Sequence, residues 1–140
     1  MSTRFFLDTN VFVYSFDTAA RAKARKAQEL INEALTSRKG VISYQVVQEF
    51  FNVAFRRFAK PMNPAEAQRY MGTVFRSILM IHSSEALYTT AIRITNEHRI
   101  SWYDSLIVAA ALEGECAVLY SEDLQHGRTL EGLEIQNPFV

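Results

Sequence analysis

Along this chain, short apolar runs alternate with longer stretches in which apolar residues recur at helical spacing. Arg4-Phe5-Phe6-Leu7 stops at Asp8. It is too short for a helix and predicts a buried strand. From Ala19 to Ser37, the residues Ala22, Ala27, Leu30, Ile31, Ala34 and Leu35 mark one helical face, with Lys and Arg opposite. Gly40 is expected to end that helical region, and Val41-Ile42-Ser43 predicts a second strand. A helix opening at Ser43 or Tyr44 has Val46, Val47, Phe50, Phe51, Ala54 and Phe55 as its apolar face. Pro61 and Pro64 bound a break. Asn63 is a good N-cap, with Pro64 at the first position of a helix expected to reach about Arg76.

The second half repeats the alternation. Leu79-Met80-Ile81-His82 predicts a third strand, and Ser84-Glu85 opens a helix to about His98. Trp102 to Leu112 is apolar almost all round, the pattern of a buried helix. Gly114 is expected to end it. Ala117-Val118-Leu119-Tyr120 predicts a fourth strand and Leu133-Glu134-Ile135 a weak fifth. Strands alternating with helices predict βαβ units, hence an α/β fold with a mainly parallel central sheet of about four to five strands flanked by helices. No repeat, linker or low-complexity tract interrupts residues 1–140, so a single domain is expected. In such sheets, ligand sites gather beyond the carboxyl ends of the strands.

Composition narrows the function classes. With 49% hydrophobic and 21% charged residues the chain reads as an ordinary globular protein. Cys116 is the only cysteine, which argues against a disulfide-stapled secreted scaffold and fits a reducing cytoplasm. No apolar run is long enough for a membrane span, and the N-terminus lacks the pattern of a signal peptide. The three His and one Cys are too scattered for a zinc site of the usual spacing. Net charge is zero but uneven. Residues 1–76 hold 12 Lys/Arg against 6 Asp/Glu, and residues 77–140 hold 3 against 9. Such a split gives either two solvated faces or an acidic site beside a basic approach surface.

Four acids stand out on this framework. Asp8 follows the first strand, and Asp123, with Glu122 beside it, follows the fourth. Glu49 lies in the Val46–Phe55 helix, and Asp104 in the first turn of the most apolar helix. Singly, each has a structural use: a cap, a turn, an ion pair. Together they crowd one sheet edge, and carboxylates crowded this way repel unless a cation joins them. Mg²⁺ and Mn²⁺ suit such oxygen donors and are shared with substrate phosphates. Haloacid-dehalogenase-like phosphatases and receiver domains also carry an Asp after the first strand. They further need a late lysine, and here the last is Lys60.

Leu7-Asp8-Thr9-Asn10, Gln48-Glu49, Tyr103-Asp104-Ser105-Leu106 and Tyr120-Ser121-Glu122-Asp123-Leu124-Gln125 resemble, in order and spacing, the four acidic motifs of PIN-domain nucleases. The size and the ending Asn137-Pro138-Phe139 look most like VapC-type toxins of bacterial toxin–antitoxin pairs. The resemblance implies a three-layer PIN fold and a Mg²⁺- or Mn²⁺-dependent endoribonuclease. Asp8, Glu49, Asp104 and Asp123 would be its catalytic and metal-binding residues, with Asn10, Ser121 and Glu122 in support. It also implies an RNA substrate, a cognate antitoxin and a homodimer, the last expected through the apolar surplus of Val46–Phe58 and Asn63–Phe75. The alternative is a non-catalytic RNA- or protein-binding module on the same fold. Trp102 and Tyr103 are expected in the core, ahead of a role in stacking RNA bases. His126, three residues after Asp123, is expected on an exposed loop.

Overall fold

The computed structural model describes residues 3–140. Six strands, β1 (Phe5–Leu7), β2 (Gly40–Ser43), β3 (Leu79–Ile81), β4 (Val118–Tyr120), β5 (Thr129–Leu130) and β6 (Leu133–Gln136), form one sheet in the order β3-β2-β1-β4-β6-β5. All neighbours run parallel except β5 and β6. The central strand β1 is buried on both faces, as a parallel strand under helices must be. Helices α1 (Thr9–Tyr14), α2 (Arg21–Ser37), α3 (Tyr44–Arg56), α4 (Pro64–Thr73), α5 (Glu85–His98) and α6 (Trp102–Glu113) flank it. The fold is α/β, as the alternation predicts.

The chain lays β2 and β3 on one side of β1, then returns to place β4 on the other. Strand order therefore reverses between β1 and β4. At such a switch point two connections leave in opposite directions and open a crevice at the carboxyl ends of the strands. The Asp8 amide donates to the Tyr120 carbonyl at 3.0 Å, pinning the two strand exits together.

Several elements depart from the sequence reading. The two-residue β5 and its turn to β6 were not legible as an element. The turn uses positive φ at Glu131 (51°) and Gly132 (88°), the handedness that matches strand twist. The six-residue α1 was also missed. Asp8 caps it, and Val11 and Phe12 bury themselves in the core. The helix opening at Asn63 has the expected Pro64 start, with a full capping box to Glu66, but ends at Thr73. A 3-10 turn over Phe75–Ser77 follows. Gly114 caps the end of α6 as expected, but neither it nor Gly40 takes the left-handed conformation. Arg38 (φ 60°) ends α2 and Glu115 (φ 56°) follows α6. Gly40 is needed for another reason: it begins β2, where a Cβ would stand 2.3 Å from the Cβ of Ala34. α6 is buried over Ser105–Ala111, as its all-round apolar pattern predicts.

The apolar positions of α3 and α4 largely meet one another and α1. Phe50 stacks on Tyr70 at 5.0 Å, and Phe12, Phe50 and Tyr70 all pack against Phe75. The surplus expected to form a dimer face there shrinks to the exposed Phe55 and Met71.

Candidate active site

At the crevice, Asp8 is 4% exposed. One carboxylate oxygen accepts from the Thr9 amide at 2.7 Å, and the other from the Ser121 hydroxyl at 2.8 Å. Burial pushes the carboxyl up from its ordinary 3.8 to about 7. The two hydrogen bonds oppose that rise, while Asp123 and then Glu49 add to it. Ser121 is itself fully buried and also accepts from the Asp123 amide at 3.2 Å, so one hydroxyl ties the exits of β1 and β4 together.

Glu49 is turned toward Asp8 by two partners. Thr9 donates its hydroxyl at 2.7 Å, and Gln45, one turn earlier on α3, donates its amide at 3.3 Å. The same Gln45 amide reaches the Tyr103 carbonyl at 3.2 Å, linking α3 to the start of α6. Asp104 sits in that first turn, its backbone amide capped by the Ser101 hydroxyl. Asp123, at the solvent side, accepts from Asn10 at 3.3 Å. Partial desolvation raises its carboxyl, and Asp104, Glu122 and Glu49 raise it further. These mutual influences bring Asp8, Glu49, Asp104 and Asp123 within electrostatic reach of one another at the carboxyl edge of the sheet.

The four acids gather there without their carboxylates converging on one point. Among the described residues, the one trio of carboxylate or imidazole ligand atoms within 4.8 Å of one another is Glu97, His98 and Glu131. That trio belongs to the α5 end and the turn before β6, at the amino side of the sheet. Arg93 already engages both Glu131 oxygens at 2.7 and 2.9 Å and pulls that carboxyl down to about 2. It is an ion-pair network. The looser set of four acids suits a hard cation instead. Mg²⁺ takes oxygen ligands, keeps several waters, and needs only one or two direct carboxylates. No cation is among the principal influences on Asp8 or Asp123, so the uncompensated charge favours a cation from outside.

The remaining sequence candidates fall as follows. Glu122 points away to a separate clamp. It accepts from the Tyr14 hydroxyl at 2.6 Å and pairs with Lys23 at 3.2 Å, with the Lys23 ammonium over the Tyr14 ring. His126 accepts from the Asn137 amide at 2.9 Å, on an exposed loop as expected. Trp102 and Tyr103 are exposed, contrary to the core expectation, because α6 buries its later turns and leaves its first at the cleft rim. Cys116 is buried and its thiol is pushed up to about 12, so it is unreactive. Thr9 and Gln45 escaped the sequence reading. Gln45 lies four residues before Glu49, a spacing that puts both on one helix face. Thr9 offered no such signal, because its contact with Glu49 spans 40 residues.

A mainly parallel sheet with carboxylates gathered at its switch point defines an α/β domain with an acidic site. The PIN domain family profile matches residues 5–129, and the chain belongs to that family. Solved structures share the fold at low identity. A toxin–antitoxin complex from Klebsiella pneumoniae aligns with a TM-score of 0.69 at 18% identity, over 97% of this chain and 98% of that one. A DNA-bound VapBC from Salmonella typhimurium gives 0.66 at 17%, over 96% and 97%. VapC20 of Mycobacterium tuberculosis, a toxin that cleaves the sarcin–ricin loop, gives 0.61 at 20%, over 84% and 88%. Among curated proteins the sequence finds no match.

Proposed function

We propose that this chain is a VapC-type endoribonuclease that hydrolyses RNA phosphodiester bonds with Mg²⁺ or Mn²⁺. The observation that carries the reading is Asp8: a buried carboxyl, oriented by two hydrogen bonds, beside further acids and with no cation among its principal influences. Asp8, Glu49, Asp104 and Asp123 are the residues that would hold the metal. When bound, the cation supplies an activated water and neutralises charge on the phosphodiester. The chain's own contribution is orientation. Ser121 and the Thr9 amide fix Asp8, the Thr9 hydroxyl and Gln45 fix Glu49, and Asn10 steadies Asp123. Glu122 acts one step back, holding the loop of Asp123 through Tyr14 and Lys23.

The toxin–antitoxin neighbours support an antitoxin partner, and the lone Cys116 fits a reducing, cytoplasmic setting. No described helix is long and apolar enough to cross a membrane. A homodimer fits the same reading. Its most exposed large apolar helical residue outside the cleft is Ile92, on α5.

The decisive experiment is cleavage of a panel of structured RNAs by the purified chain with Mg²⁺, Mn²⁺ or EDTA. Cleavage is expected with either metal, none with EDTA, and none from Asp8→Asn or Asp104→Asn proteins that remain folded. Wild-type rates from those variants would overturn the assignment. Expression in a bacterial host is expected to arrest growth, and the same substitutions to relieve the arrest.

A further inference from the structure

Beside the acidic cleft lies a second cavity of about 280 Å³, walled by α3, α5 and the first turns of α6 and floored by the exits of β2 and β3. We propose that it is a subsite for one unpaired nucleobase of the RNA, next to the bond that is cut. The proposal rests on the nuclease reading and adds to it a specificity pocket.

Size is the first argument. Pockets for drug-sized ligands span about 300–1,000 Å³, so this one suits a single ring system. Its walls have the two kinds of surface a base requires. Tyr88, Trp102 and Tyr103 offer ring faces, with Tyr88 and Trp102 paired at 6.2 Å. Ser43 and Gln48 offer a hydroxyl and an amide for its polar edge, and Gln45, its N–H groups taken by Glu49 and Tyr103, offers its side-chain carbonyl. Single-stranded RNA is read in this way, by stacking and by hydrogen bonds to base edges.

Charge is the second argument. Among the described residues, no Asp, Glu, Lys, Arg or His lines the cavity. A phosphate finds no cation there, and a partner's arginine finds no carboxylate. The neutral occupant must also satisfy Ser43. Its Oγ is buried, has no hydrogen-bond partner, and makes no cap to α3 although Ser43 is the N-cap residue. An apolar side chain seated here leaves that hydroxyl orphaned. A base brings ring nitrogens, carbonyls or amino groups to the wall that Ser43 belongs to.

Position is the third argument. Gln45 is both a wall of the cavity and the donor to Glu49. Tyr103, another wall, directly precedes Asp104 and is held by the same Gln45 amide. A base stacked here therefore has its backbone beside two of the four acids.

Trp102 is the only tryptophan and reports on the cavity by its fluorescence. The whole chain in EDTA is titrated with the four ribonucleosides, with ribose and inorganic phosphate as controls. At least one nucleoside is expected to change the Trp102 signal saturably at millimolar concentration, and the controls not at all. Ser43→Val and the exposed Tyr103→Ala are each expected to weaken that binding about five- to tenfold. A parallel arm uses cleavable RNAs with one abasic nucleotide flanking the cut. The abasic site is expected to lower kcat/KM for wild type and to lower it much less for Tyr103→Ala, because both changes remove the same contact. The proposal is overturned if no nucleoside is bound or if binding ignores both substitutions. It is equally overturned if sedimentation and fluorescence show Trp102 covered by a second copy of the chain. Nucleoside binding without any RNA cleavage would sink the nuclease reading and leave the pocket standing.

Discussion

Replacing Asp8 by Asn should make the metal-free protein more stable at pH 8 while abolishing its activity. In the folded chain the carboxyl titrates near 7 against an ordinary 3.8, chiefly because it is buried. A rise of about three units at about 1.4 kcal/mol each amounts to about 4 kcal/mol. The sign follows from proton linkage. Between about pH 4 and pH 7 the folded state holds this proton and the unfolded state has released it, so stability falls as pH rises through that window and levels off above it. Asparagine cannot titrate. It keeps an oxygen for the Thr9 amide and an amide that can donate to Ser121, so most of the hydrogen bonding survives. The assay is the urea midpoint at half-unit pH steps from 4.5 to 8.5 in EDTA, for wild type and Asp8→Asn. The wild-type curve is expected to drop by up to about 4 kcal/mol relative to the variant. Asp123, also raised, leaves a smaller slope of the same sign in both. Excess Mn²⁺ at pH 8 should then restore wild type, by about 2.7 kcal/mol at a hundredfold excess over Kd, and leave the variant unchanged. Parallel pH curves for the two proteins would refute the reasoning.

Thr9→Val removes only the hydroxyl that holds Glu49 and should lower cleavage about 10- to 100-fold, as loss of a partner behind a metal ligand does. Thr9→Ser should restore it, so equal rates for Val and Ser would count against the role. The chain should sediment at twice its 16.0 kDa mass, and Ile92→Glu should return it to the single-chain value. A wild-type monomer at micromolar concentration would remove the homodimer.

Much of the architecture was written in local pattern. Phe5-Phe6-Leu7 and Val41-Ile42-Ser43, buried throughout, and the partly buried Val118-Leu119-Tyr120 are short apolar runs ending at polar residues, the composition a parallel strand under helices takes. The all-round apolar α6 and the Asn63-Pro64 helix start were equally plain, since each rests on a few adjacent residues. The four acids were legible for a related reason: two follow strands and two interrupt apolar helices, where a carboxylate is costly without a partner. What the sequence could not show is who meets whom. The contacts of Thr9 with Glu49, of Ser121 with Asp8 and of Tyr14 with Glu122 span 40, 113 and 108 residues. The first exists because α3 packs on α1, and the other two only because β4 returns to lie beside β1. The same return decides that Glu122 turns to Lys23 while its neighbour Asp123 turns to the cleft. Tertiary packing also reversed one expectation. Local hydrophobicity places Trp102 and Tyr103 in the core, but α6 is long enough to fill its site with Ser105–Ala111, and the two aromatic rings are left at the rim.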